Sequence, residues 1–131
     1  MMEIRSADAK EALPQPYRSG LHVLVDGEAL SAGPLRDLHG FVRMAEGLIA
    51  SLGLESVGAV HHAFPGAGFT SVICLTESHL SIHTWPEHGR VTFDVFLSNY
   101  RRENNLAVES IVRAIRTLMG PGLWNEHRFH R

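Results

Sequence analysis

The sequence predicts an α+β two-layer sandwich: a largely antiparallel sheet with two helices on one face. Three observations carry that expectation. Two segments repeat apolar residues at helical spacing. Several short runs around them are rich in β-branched and aromatic residues. Successive runs in the second half are separated by turn-length spacers, which suit hairpins and are too short for parallel crossovers.

Residues 21–25, LHVLV, read as a strand closed by the turn pair Asp26-Gly27. Leu35, Leu38, Phe41, Val42, Ala45, Leu48, Ile49 and Leu52 then form one apolar stripe of an amphipathic helix. Pro34 suits its first turn, and Gly53 stands where a helix ends. Residues 57–64 read as a second strand, Pro65-Gly66-Ala67-Gly68 turns the chain, and residues 69–76, FTSVICLT, read as a third. Residues 80–85 are a fourth, stopped by Pro86 and Gly89. In residues 91–97, VTFDVFL, alternation puts Val91, Phe93, Val95 and Leu97 on one face and Thr92, Asp94, Phe96 and Ser98 on the other. Asn104 or Asn105 can cap a second helix, whose stripe is Val108, Ile111, Val112, Ile115, Leu118 and Met119 and whose stop is Gly120-Pro121-Gly122. Residues 123–131 are too short to assign. The uncovered sheet face must be solvated or covered by a second chain.

A chain of 131 residues is expected to hold one domain, residues 20–131, behind a polar N-terminal extension at 1–19. Twelve Lys and Arg stand against 14 Asp and Glu, so there is no basic excess for binding nucleic acid. No apolar run approaches the roughly 18 residues of a membrane span. The first twenty residues lack the apolar core of a secretory signal. Cys74 is the only cysteine, which excludes an internal disulfide and fits a reducing, cytoplasmic setting. Its β-prone surroundings suggest packing.

Chemistry concentrates in residues 76–99, TESHLSIHTWPEHGRVTFDVFLSN. A strand built only for packing rarely carries so many polar groups, because each one buried unpaired costs about 1–3 kcal/mol. Three readings compete. His79 and His83 are four apart, as in a helical zinc pair, but on a strand that separation is roughly 13 Å, and H-x-x-x-E-H at His83–His88 lacks a known zinc spacing. No metal is therefore expected. Ser78, His83 and Asp94 are the residue types of a hydrolase triad, without a G-x-S-x-G elbow. The third reading is self-processing.

ESHLSIHTWPEHG, residues 77–89, closely resembles the cleavage and active-site segment of the bacterial and archaeal S-adenosylmethionine decarboxylases, pyruvoyl enzymes of polyamine biosynthesis. Gly20-Leu21-His22, His62-Ala63-Phe64-Pro65 and the DVF at Asp94, Val95 and Phe96 resemble the same family, so the likeness spans roughly residues 20–119. It implies a proenzyme. Ser78 would attack the carbonyl of Glu77, and β-elimination would cut the chain into a β chain, 1–77, and an α chain, 78–131. Ser78 would end as a pyruvoyl group. Its ketone would form a Schiff base with the substrate amine and accept the electron pair left by CO₂.

The resemblance also implies roles. His83 moves protons during processing. Thr70 stands where the family usually has a serine that stabilises the ester-forming oxyanion. Phe64 and Trp85 stack the adenine of the substrate, and Glu87 binds its ribose hydroxyls. Glu77 only precedes the cut. Ser98 stands where the family has a cysteine that reprotonates the product carbon, and a hydroxyl is a far weaker acid than a thiol of pKa about 8.5. That departure keeps a second substrate class in view, arginine or ornithine, with Glu87 or Asp94 facing the cation. A non-catalytic, uncleaved paralogue that binds an active partner is a third reading, and the intact Glu77-Ser78 and His83 weigh against it. His22, His61 and His62 are expected to be structural or interface groups, and His39, His127 and His130 to lie on the surface. Family members of this length are dimers with active sites near the interface. The expected assembly is a homodimer of cleaved α and β chains, with a small-molecule substrate and no nucleic-acid or membrane partner.

Overall fold

Val91, Phe93, Val95 and Leu97 are all buried, while Thr92, Asp94 and Phe96 between them are only partly so. That alternation gives the sheet one inner face against helices and one open face. The computed structural model describes residues 16–131. Its elements are β1 (Leu21–Ala29), α1 (Leu38–Ser51), β2 (Ser56–Ala63), β3 (Phe69–Leu75), β4 (Ser78–Trp85), β5 (Arg90–Leu97), α2 (Asn105–Met119) and β6 (Gly122–His130), with short 3₁₀ turns at Pro34–Arg36 and Pro86–His88. The six strands run in the order β2-β3-β4-β5-β1-β6, and every pairing is antiparallel. Both helices pack on the inner face, as the α+β two-layer reading expected. Phe41, Ala45 and Ile49 of α1 and Val108, Ile111, Val112, Ile115 and Met119 of α2 meet Leu80, Ile82 and Phe93 of the sheet.

Four local expectations change. Asp26-Gly27 does not turn the chain: β1 runs through it, because Gly27 leaves room for the Trp124 ring of β6, which a Cβ would strike. Pro34 opens a separate 3₁₀ turn, and α1 begins after Asp37, whose carboxylate caps it by accepting from the Gly40 N–H at 2.9 Å. Asn104 does occupy the N-cap of α2, but its side chain does not cap the helix. The tail left unassigned is β6, paired along the whole of β1.

Of the expected extension, residues 1–15 lie outside the described residues. Residues 16–19 run exposed, tethered where Arg18 donates to the Asn99 carbonyl at 3.0 and 2.6 Å. Cys74 is exposed on the open face, so packing within this chain does not explain it.

Candidate active site

A two-residue turn, Thr76 and Glu77, joins β3 to β4. Ser78 follows it with φ at 133°, the single non-glycine positive φ among the described residues. Such a conformation costs on the order of 1–3 kcal/mol and persists only where surrounding contacts hold it. Those contacts converge on Glu77. Its carbonyl accepts from the Ser98 N–H at 2.8 Å. Its carboxylate accepts from Arg102 Nη2 at 3.0 Å, Arg102 Nε at 3.3 Å and Asn104 Nδ2 at 2.8 Å. The Arg102 hydrogen bond, outweighing burial and aided by Asn104, holds the Glu77 carboxyl below the ordinary glutamate range. Glu77 is therefore anchored through its side chain as well as its backbone. Ser98 sits at the end of β5, next to Leu97, the cross-strand partner of Ser78.

The remaining expected site residues gather at the other end of the sheet. Thr70 and His83 are cross-strand neighbours on the open face, and Thr70 Oγ1 is hydrogen-bonded to His83 Nδ1. Trp85 lies beside His83, with ring centroids 6.4 Å apart, and is 41% exposed. Phe64, 48% exposed, packs edge-on against His62 at 4.6 Å. Glu87 is exposed in the Pro86–His88 turn. His83 is five positions along β4 from Ser78, roughly 16 Å at the rise of a strand. Two groups thus form: Glu77, Ser78 and Ser98 at one end, and Phe64, Thr70, His83, Trp85 and Glu87 at the other. Within one chain they do not meet.

Between them stands a polar cluster. Asp94 Oδ2 lies 2.7 Å from His22 Nε2 and 2.8 Å from His79 Nε2, and Ser81 Oγ donates to Oδ1. Burial pushes the Asp94 carboxyl up, but the hydrogen bonds from Ser81, His22 and His79 outweigh it, and the carboxyl lies below the ordinary aspartate range. Asp94 therefore orients His22 and His79 and not His83, and the Ser78, His83, Asp94 triad is not assembled. Strand separation keeps His79 from sharing a ligand site with His83. With His22 and Asp94 instead, it offers ligand atoms within 4.8 Å of one another. Hydrogen bonding already satisfies that trio.

Sequence reasoning missed Arg102 and the side-chain role of Asn104. The available signal was the arginine pair Arg101-Arg102, a few residues past Ser98 in a loop leading to a capping asparagine. A concavity of about 730 Å³ lies between α2 and β6 and includes none of these residues. Thr70, His83 and Trp85 instead lie on the open sheet face.

This arrangement defines an α+β protein with a strained serine at the turn between two antiparallel strands. Its fold is similar to the crystal structure of the adenosylmethionine decarboxylase from Aquifex aeolicus VF5, with a TM-score of 0.76 and 28% identity over 88% of this chain and 92% of that one. The chain belongs to the S-adenosylmethionine decarboxylase family, whose model matches residues 21–120. A curated S-adenosylmethionine decarboxylase proenzyme from Persephonella marina is 34% identical over 74% of this chain and 73% of that protein. Another, from Picrophilus torridus, is 28% identical over 74% of this chain and 75% of its own length.

Proposed function

We propose that this chain is a proenzyme that cuts itself between Glu77 and Ser78 and then decarboxylates S-adenosylmethionine. The observation that carries the reading is Ser78 held at φ 133° with the preceding carbonyl already on the Ser98 N–H at 2.8 Å. A strained peptide whose carbonyl oxygen faces a fixed donor is prepared for addition at the carbonyl carbon. In the cut, Ser78 Oγ adds to that carbon, the Glu77–Ser78 C–N bond breaks, and the hydroxyl proton passes to the Ser78 nitrogen. Removal of the Ser78 Cα proton then breaks the Cβ–Oγ bond of the ester and releases the main-chain carboxylate of Glu77 as the new C-terminus. Water releases ammonia from the resulting enamine and leaves a pyruvoyl group on residue 78. That group supplies the electron sink for decarboxylation.

The other residues serve this chemistry from a second copy. His83 lies too far from Ser78 along its own β4 to reach it, and Thr70, its partner on β3, is equally remote. The open face carries exposed Leu24, Val60, Val72 and Phe129 beside the site residues, an apolar surface that suits burial against its own copy. Two-fold packing of these faces would bring each Ser78 end onto the partner's His83 end. His83, partnered by Thr70, then moves protons in processing. Phe64 and Trp85 bracket the adenine, and Glu87 takes the ribose. Ser98, beside the cut, is the candidate acid for the product carbon. The cut would leave the β3–β4 ladder spanning the two chains from Thr70↔His83 to Leu75↔Ser78, so α and β chains stay in one sheet. Among the described residues no helix is long and apolar enough to cross a membrane, and a cytoplasmic location accords with that.

Ser98 in place of a cysteine favours one second reading, decarboxylation of arginine or ornithine. Asp94 is fully engaged by Ser81, His22 and His79, which leaves Glu87 as the carboxylate for such a cation. A paralogue that never cleaves is the other outcome. Intact mass should show fragments 1–77 and 78–131, and Ser78→Ala should leave one chain. Cutting that survives Ser78→Ala refutes the nucleophile. Released CO₂ is then compared for S-adenosylmethionine, arginine and ornithine. Turnover of arginine or ornithine alone overturns the substrate, and complete cleavage with no turnover favours the non-catalytic reading.

A further inference from the structure

The strained turn must be held at more than one point, because a single hydrogen bond to its carbonyl leaves it free to rotate. The Glu77 side chain supplies the second point. Arg102 Nη2 donates to Glu77 Oε2 and also to the Gly53 carbonyl, each at 3.0 Å, tying the turn to the end of α1. Asn104 Nδ2 donates to Glu77 Oε1 at 2.8 Å and to the Ser98 carbonyl at 2.9 Å. The Asn104 N–H is itself taken by Asn99 Oδ1 at 2.6 Å, which anchors the clamp at the start of α2. Ser98 is thus gripped from both sides: its carbonyl by Asn104 and its N–H by the Glu77 carbonyl.

We propose that Arg102 and Asn104 are positioning residues for self-cleavage: by clamping the Glu77 carboxylate they keep the Glu77 carbonyl oxygen on the Ser98 amide and its carbon within reach of Ser78. The inference rests on the reading that Glu77–Ser78 is the bond cut. Neither side chain touches the reacting atoms. Both act through Glu77, which explains why a carboxylate stands before the nucleophile and why an N-cap asparagine turns its amide away from its helix. During addition the negative charge collects on the carbonyl oxygen, where the Ser98 N–H waits. A turn that swings by about 1 Å would forfeit that alignment and on the order of 100-fold in rate. When the cut is complete, Glu77 becomes a chain terminus, and the same clamp retains it.

The test is a time course of cell-free synthesis of the full chain, with the cleaved fraction read by intact mass. Arg102→Leu and Asn104→Leu should slow cleavage by roughly 10- to 100-fold. Arg102→Lys should recover part of the rate, because an ammonium keeps the charge but lacks the planar fork that spans both oxygens. Adding Arg102→Leu to Glu77→Gln should slow cleavage little further, since both act at one contact. Thermal midpoints measured in a Ser78→Ala background report stability without cleavage. Slowing that follows the loss of midpoint, with no recovery in Arg102→Lys, makes the clamp merely structural and overturns the proposal. A wild-type chain that cuts while Arg102→Leu cuts equally fast overturns it alone. A wild-type chain that stays whole overturns the cleavage reading and this inference with it.

Discussion

Ser78 and Asp94 show two ways a single residue can be constrained. Ser78 occupies a backbone region that side chains avoid, held by partners on other elements. Asp94 keeps its charge against burial because three side chains donate to it. Replacing it by Asn removes charge-assisted bonds and should destabilise the chain by about 2 kcal/mol near neutral pH. Since the Asp94 carboxyl lies below its ordinary value when folded, that stabilisation is present above the unfolded pKa and is lost as pH falls through the folded one. The gap between wild type and Asp94→Asn in urea melts should therefore shrink below about pH 4. A gap that persists unchanged to pH 2 would mean the charge is not what matters. The residue types in this segment were legible in the sequence. Their partners were not, because His22, Asp94 and His79 are brought together by strand register, as are Glu77 and Ser98.

At the scale of elements, β6 is the part that periodicity did not disclose. Its buried-side residue Trp124 lies over Gly27 of β1, meets Phe93 edge-on at 6.4 Å and carries the Arg116 guanidinium over its ring at 5.6 Å. Glu126 adds ion pairs to Arg116 at 2.6 Å and to Arg128 at 2.8 Å. A glycine at 27 is thus required by the neighbouring strand and not by a turn. Gly27→Val should lower the thermal midpoint by about 5 °C, consistent with overpacking of about 1–3 kcal/mol. In a Trp124→Ala background the same substitution should cost far less. Equal costs in both backgrounds would show that the Trp124 contact is not the cause. The helices, by contrast, were readable as periodic stripes. Only the start of α1 moved, because Asp37 caps it and Pro34 heads a separate turn.

For the whole molecule, the decisive fact is that the two groups of site residues lie at opposite ends of β4. The proposed dimer makes a sharp genetic prediction. Ser78→Ala and His83→Ala chains should each stay uncut when produced alone. Co-produced, they should pair so that the intact His83 of one serves the intact Ser78 of the other, and about half of the His83→Ala chains should be cleaved. Mass spectrometry of the mixture reads this directly. No fragment in the mixture would place processing within a single chain.

Composition, alternation and helical spacing determined the two-layer class, most of the strands and the polar segment that holds the candidate chemistry. These signals are local and follow from side-chain direction along a strand or helix. Only the tertiary structure decided that Asp94 serves His22 and His79 and that Arg102 and Asn104 grip Glu77. Each of those depends on which strands adjoin and in what register, and register is set by packing across the sheet, where distance in sequence carries no information.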